Sequence, residues 1–312
     1  MRSSNAPSSE IVLQKSMTFN FIKHRRVYYI FSGILILLSL VSLAVYKLKP
    51  GIDLAGGSIL ELDFKDARPS NQDIEAKLSK FNFGEVVVQP TGDKGVIIRT
   101  VAMSEETHQE ILKKFENTEE KHFESIGPTI GNELKQKTKV ALIMVLLAIA
   151  SYIAFAFRRI SRPIPSWKYG IATLIALFHD ILIPLGVFAY LGKLHNVEIT
   201  IPIIAAILTI LGFSVHDTIV IFDRIRENLL KRSSLSFEEI VDLSLNQTLG
   251  RSINTVLTVL FVVLAIFFFG GETLKYFSLA LIIGIISGAY SSIFVAPPLL
   301  VSWLKTAKGL DK

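Results

Sequence analysis

Between Leu208 and Asn228 the chain runs LTILGFSVHDTIVIFDRIREN, and no other stretch sets its residue types so sharply against their surroundings. It opens as an apolar helix would, then places His216 and Asp217 among Ile, Val and Phe before closing on Asp223, Arg224 and Arg226. An Asp at the middle of a membrane-spanning helix costs roughly 2.5 to 3.5 kcal/mol on insertion scales. Such residues therefore face a bundle interior, take partners, and mark ion or proton paths. Asp217 is the leading candidate for a proton-carrying group, with Ser214 three residues before it. His216 adjoins it but projects about 100° away on a helix, so it serves either as a proton group or as a simple hydrogen-bonding neighbour. On a later apolar helix Arg251, Asn254, Thr255 and Thr258 share one face, a polar stripe at a depth that matches Asp217. A carboxylate and a guanidinium at equal depth on neighbouring antiparallel helices are expected to pair, as a working site or as a static packing device. His179 and Asp180 form a second intramembrane site, followed by the kink-prone Pro184, and their first reading is structural. Gly284, Gly288, Ser291 and Ser292 are expected to be close helix-packing positions rather than a pore lining.

The elements that must position these residues are apolar helices. Of 312 residues, 50% are hydrophobic and only 19% are charged, and the mean hydropathy is +0.48. That composition excludes an ordinary soluble enzyme and predicts a polytopic α-helical membrane protein. Net charge is +6, but the Lys and Arg residues flank apolar runs, so topology explains them and no nucleic-acid partner is expected. With no cysteine, disulfides, thiolate nucleophiles and cysteine metal sites are excluded. There is no Ser-His or HExxH arrangement and no second carboxylate at catalytic spacing beside Asp217, so an intramembrane hydrolase is not expected. No Walker-type GxxxxGK[ST] run is present, and neither nucleotide, other cofactor nor metal is expected.

In chain order, residues 1–26 are polar and then basic, a tail expected to be cytosolic. Residues 27–46 form a first span, whose apolar run of about 20 residues exceeds the h-region of a signal peptide. Residues 47–134 turn soluble in composition. Alternation at Leu60, Leu62 and Phe64, a helix capped by Ser70, β-rich runs at 85–89 and 96–100 around a turn, a helix capped by Ser104 and a last strand at 122–126 give the order β-α-β-β-α-β. That is the order of a small ferredoxin-like α+β domain. His108 and His122 are expected on its solvated polar faces. Further spans are expected at 140–157, 169–191, 200–222, 253–269 and 274–303, six in all, with a loop at 223–252 holding an amphipathic surface helix begun by the capping box Ser236–Glu239, and a tail at 304–312. Short-loop charge decides orientation. Arg158, Arg159, Arg162 and Lys168 lie in one loop, Arg224, Arg226, Lys231 and Arg232 in another, and Lys305, Lys308 and Lys312 at the end, against only Lys193 and Lys275 in the alternate loops. Both termini are therefore expected in the cytosol and the α+β domain outside.

Six stretches taken together carry a resemblance. GIDLAGGSILELDF, IGPTIGNEL, LFHDILIPLG, LGFSVHDTIVIFDRIREN, SLNQTLGRSINTVLT and FSLALIIGIISGAYSSIFVAPPL, in this order across about residues 20 to 305, resemble the SecF family. The resemblance implies the six-span half of a twelve-helix unit related to resistance-nodulation-division transporters, in the bacterial inner membrane. It implies pairing with the homologous SecD, association with SecYEG and with YajC, and use of the proton motive force to draw unfolded preprotein outward after SecA-driven entry. Asp217 matches the intramembrane Asp of the family and Arg251 its Arg at the entrance to the fifth span; His216 stands where many members carry Asn. Helix movement is expected to reach the outer domain through the junctions at Gly51–Gly57 and Gly127–Gly131. Two other readings stay open: a half-transporter of a lipid or small solute, and a non-conducting scaffold of the translocase.

Overall fold

The computed structural model describes residues 19–84, 86–158, 163–232 and 234–307. Residues 1–18 of the expected tail, Glu85 of the expected hairpin, and Arg159, Arg162, Lys308 and Lys312 lie outside them. The chain divides into two compact units, an α+β unit of residues 49–142 with 196–201 and a helical unit holding the remainder.

In the α+β unit a short helix α1 (Ile52–Ala55) leads into β1 (Gly57–Phe64). There follow α2 (Asn71–Leu78), β2 (Val87–Thr91), β3 (Gly95–Thr100), α3 (Glu105–Lys114) and β4 (Thr118–Ile126). The sheet order is β2-β3-β1-β4 and every pair is antiparallel, which is the ferredoxin-like arrangement anticipated from the element order. Leu60, Leu62 and Phe64 of β1 turn to the same face as Val96 and Ile98 of β3, where they meet Ile74 and Leu78 of α2 and Ile111 and Phe115 of α3 in one core. Both helices start at the serines expected: Ser70 Oγ accepts from the Asp73 amide at 3.2 Å and Ser104 Oγ from the Thr107 amide at 3.4 Å.

His108 corrects the expectation of a solvated surface residue. It is buried, stacks on Phe123 with ring centroids 3.7 Å apart, and lies 3.2 Å from Glu105 and 3.4 Å from Glu120. The cause is β4, which begins at Thr118 rather than His122 and so extends the sheet beneath α3. Gly56 and Gly57 have φ of +78° and +140°, in the left-handed half of the map. A side chain on Gly56 would put its Cβ 2.7 Å from Pro128 Cα, so both backbone shape and space require glycine there.

Residues 196–201, far off in sequence, complete this unit. Pro50 and Ile199 form a parallel bridge: the Gly51 amide donates to the Ile199 carbonyl at 2.9 Å and the Ile199 amide to the Lys49 carbonyl at 2.7 Å. Lys49 Nζ donates to Asn196 at 2.6 Å, the Ile201 amide donates to Asp53 at 2.8 Å, and Arg99 Nε lies 3.2 Å from Glu198.

The helical unit contains α4 (Arg25–Tyr46), residues 143–156 of α5 (Pro128–Ala156), α6 (Ser166–His195), α7 (Ile201–Lys231), α8 (Phe237–Phe269) and α9 (Gly271–Phe294), which continues after a break at Val295 as α10 (Ala296–Ala307). Among the described residues six helical stretches are long and apolar enough to cross a membrane. Three of them, α6, α7 and α9–α10, bury half or more of their apolar windows, while α4, α5 and α8 bury little and form the periphery. The central helices approach closely through small residues: a Cβ on Gly288 would lie 3.0 Å from Ser214 Cβ.

The helices are longer than their apolar cores. α5 begins at Pro128 rather than near 140, and α7 runs to Lys231. The separate amphipathic surface helix expected within 223–252 is replaced by a continuous α8 from Phe237, because the Ser236–Glu239 capping box starts the helix and Gly250 does not break it. Its first turns bury Ile240, Val241 and Leu245. They also hold the N-terminal segment, with the Ile22 amide on Asp242 and the Phe19 amide on Asn246, both at 2.9 Å.

Two outcomes follow for the α+β unit. Truncating Ile98, which is fully buried in the common core, to Ala is expected to lower its stability by about 2 to 5 kcal/mol, measurable as earlier denaturant-induced loss of exchange protection in β1 and β3. Burial pushes the Glu198 carboxyl above the ordinary glutamate range, with Arg99 and Lys49 pulling it back. The folded form then holds its proton more tightly than the unfolded form. The linked stability is complete below the unfolded value of about 4.3 and is lost as pH rises through the folded value. Protection of the Gly51 and Ile199 amides, corrected for intrinsic exchange, should fall across that window, and Glu198→Gln should abolish this dependence.

Candidate functional site

Asp180 stands at the centre of the helical unit. It is fully buried on α6, and four donors converge on its carboxylate. Ser214 Oγ of α7 donates to Oδ2 at 2.6 Å and Ser291 Oγ of α9 at 2.7 Å. His179 Nδ1 lies 2.9 Å from Oδ1, and Ser287 Oγ of α9 donates to Oδ1 at 3.2 Å. Pro184 has no amide to bond the Asp180 backbone carbonyl four residues earlier, so the helix is loosened at the same residue. The His179 ring packs near Tyr290, centroids 5.8 Å apart, whose hydroxyl donates to the Tyr28 carbonyl at 3.0 Å. A carboxylate in apolar surroundings is tolerable only when its acceptor sites are filled, and here three helices fill them.

Asp217 lies on α7 three residues beyond Ser214 and is buried. Its satisfaction is incomplete: Oδ1 is 3.8 Å from His216 Nδ1, and Oδ2 has no hydrogen-bond partner. Thr218, next along the helix, bonds Ser292 Oγ of α9 at 3.0 Å, and Ser292 Oγ donates to the Ser214 carbonyl at 3.2 Å, fixing α7 against α9 on either side of Asp217. Asp217 thus sits on a braced helix with one oxygen free to accept a proton.

The expected ion pair with Arg251 is not formed. Arg251, Asn254 and Thr258 are exposed on α8, Thr255 is half-buried, and the inward positions at this level are Ser252 and Val256. The helical period did place the four residues on one face, and that face points away from this chain's own core. Thr255 and Thr258 bond their own helix backbone, to the Arg251 and Thr255 carbonyls at 3.0 and 2.8 Å. His216 is likewise exposed, its side chain retaining 62% of its accessibility.

His179, Asp180 and Ser214 are brought together, with Asp217 one turn further along α7. Ser287 joins them without having been expected from the sequence, and Ser291, expected as a packing position, also donates to Asp180. The signal was their spacing of four, which sets both hydroxyls on the face of α9 that Gly284 and Gly288 allow close to α6 and α7. Among the described residues no group of three or more His, Cys, Asp or Glu side chains could hold a metal ion.

Comparison with known proteins agrees with this architecture. The family described as "Protein export membrane protein SecD/SecF, C-terminal" matches residues 107–306, and the "SecD/SecF GG Motif" matches residues 41–67, around the Gly56–Gly57 turn. The protein translocase subunit SecF of Thermobaculum terrenum is 44% identical over 301 residues, covering 91% of this chain and 93% of that one. The SecF of Rickettsia conorii is 38% identical over 303 residues, covering 94% of each. The crystal structure of SecDF from Thermus thermophilus, a translocon-associated membrane protein, superposes with a TM-score of 0.79 at 33% identity. It is matched over 92% of this chain but only 39% of its own length, so the present chain spans about two-fifths of that protein. A SecDF crystal structure in a super-membrane-facing form gives a TM-score of 0.68 at 33% identity. With its α+β domain, its six apolar helices and relatives that match nearly its whole length, this multi-pass membrane chain belongs to the SecF family of protein-export membrane proteins.

Proposed function

We propose that the chain is one half of a proton-driven export unit that works with a SecD partner, SecYEG and SecA, with YajC as a further associate, to promote outward movement of unfolded preprotein. The observation that carries this reading is Asp217, a buried carboxylate with one unpartnered oxygen on a central helix. An ionised Asp217 pulls on Arg251 through the field without touching it; protonation removes that pull and lets α7 and α8 repack. One elementary charge crossing 100 mV supplies about 2.3 kcal/mol, enough to bias a two-state bundle by nearly two powers of ten. Neither nucleotide nor metal enters the cycle.

The half-unit reading rests on the exposed stripe. Arg251, Asn254 and His216 would be costly against lipid, so a second bundle covers the stripe they share with Thr258. The membrane is the bacterial inner membrane and the termini are cytosolic, which puts Lys23, Arg25, Arg26, Arg224, Arg226 and Lys305 on the positive side. The α+β unit then faces the periplasm, where emerging chain is met.

In inverted vesicles carrying the assembled complex, Asp217→Asn is expected to abolish stimulation of export by a proton gradient while leaving assembly intact. Unchanged stimulation would remove the proton role and favour a scaffold. The covered stripe has its own test. The chain contains no cysteine, so Asn254→Cys and Thr258→Cys should each cross-link to single cysteines in the SecD helices under mild oxidation. Ile253→Cys supplies the off-stripe control, and equal cross-linking from all three positions would contradict the assignment.

A further inference from the structure

Among the buried carboxylate and imidazole atoms of the described helical unit, three have no hydrogen-bond partner: Glu238 Oε1, which is ion-paired with Lys305 and Arg25, Asp217 Oδ2 and His179 Nε2. Asp217 belongs to the site already described. His179 is unexplained, because an imidazole held so well at Nδ1 and left bare at Nε2 is not placed as a structural residue would be. His179 is 1% exposed, and Tyr290 covers its ring.

The Nδ1 contact decides the tautomer. All four contacts of Asp180 are ones that an ionised carboxylate accepts, so Nδ1 carries the hydrogen and donates at 2.9 Å. Nε2 then bears a lone pair in a buried setting, and protein supplies no donor for it. In this state the His179–Asp180 pair holds one negative charge at the middle of an apolar bundle, and among the described residues no cationic side chain lies within ion-pair reach of Asp180 other than His179 itself. A proton on Nε2 would neutralise the pair without breaking any of the four hydrogen bonds.

We propose that His179 is a second proton-binding residue of the bundle, taking one proton from the aqueous gradient at Nε2 while Nδ1–H stays on Asp180. This rests on the reading of Asp217 as a proton carrier and extends it to a two-site arrangement. Ser214 links the sites, since its hydroxyl bonds Asp180 at 2.6 Å and Asp217 follows on the same face of α7, about 4.5 Å further along the axis at 1.5 Å per residue. Because Ser214 and Asp217 share one turn of α7, a change of occupancy at one site reaches the other through the Ser214–Asp180 bond. The packed elements also carry Tyr290 of α9, Tyr28 and Tyr29 of α4 and His216 of α7 on its exposed side, and toward the helix ends Arg25 and Arg26 of α4, Asp223, Arg224, Arg226 and Glu227 of α7 and Lys305 of α10. None of them contacts Nε2.

The test is the nitrogen spectrum of the histidines in the full chain, 15N-labelled at its six His residues and reconstituted with its SecD partner in phospholipid nanodiscs. The signal lost in His179→Asn identifies the residue. Between about pH 5 and 8 it is expected to change from a lone-pair-bearing Nε2 to a protonated one, with a midpoint that differs in Asp217→Asn. A spectrum fixed as one neutral tautomer through this range, or a midpoint indifferent to Asp217→Asn, overturns the proposal. His179→Asn keeps an amide donor for Asp180, so assembly and thermal stability should survive while the pH dependence of gradient-stimulated export is lost. An Asn variant that retains the wild-type pH profile shows a structural histidine and also overturns it. If export stimulation proves indifferent to Asp217→Asn while His179 still titrates with a midpoint moved in that variant, the motor reading fails and the second proton site stands.

Discussion

An ionised carboxylate inside a bundle of apolar helices has to be surrounded by donors, and the helical unit is arranged around that requirement. Donors from α7 and α9 reach Asp180 only because the helices come close enough for serine hydroxyls to span the gap at 2.6 to 3.2 Å. Small residues are therefore required on the facing surfaces. At Gly288 even a methyl group would press on Ser214, the residue that donates to Asp180. Packing and charge satisfaction are thus one constraint. A larger residue on this face of α9 would widen the gap and leave Asp180 without two of its donors. Asp217 differs by one oxygen. Its carboxylate is therefore less completely satisfied, on an otherwise braced helix.

Asp217 has a short covalent route out of the bundle. α7 carries Asp217 and begins at Ile201, and residues 196–201 belong to the α+β unit through the Pro50–Ile199 bridge and the Arg99–Glu198 ion pair. α6 carries His179 and Asp180 and ends at His195, immediately before the same segment. Both charge-bearing helices are therefore continuous with one strand-like piece of the sheet domain. Within the α+β unit Gly56 fits tightly beside Pro128, which holds the start of α5 against the turn that precedes β1.

Patterns local to one element were legible in the sequence. The β-α-β-β-α-β order, both serine caps, the capping box at Ser236 and six apolar stretches depend on residues within a few positions of each other. Asp217 was legible because one carboxylate among Ile, Val and Phe is a local anomaly. What sequence could not supply was which neighbour each face meets. Helical period put Arg251, Asn254, Thr255 and Thr258 together, but no periodicity states whether such a face turns toward Asp217 or away from it. His108 was misplaced for a related reason, since its burial depends on a strand reaching back to Thr118, a register set by pairing with β1. The serines around Asp180 were visible as small residues, yet their role appears only when three helices converge.

The outward-facing stripe bears on whether this half could work alone. Its backbone hydroxyl bonds show that Thr255 and Thr258 need no partner, so they would survive against lipid. Arg251 has no such internal solution: a guanidinium carries five donors and stays charged, and helix carbonyls cannot satisfy it. On α8, a helix that buries little of its apolar window, it is the residue whose energetics most demand a covering bundle. A covering bundle would offer Arg251 the polar acceptors that hydrocarbon lacks, without requiring direct contact with Asp217. Assembly would then satisfy the guanidinium as well as cover the surface, whereas in the isolated half its five donors would face lipid unpaired.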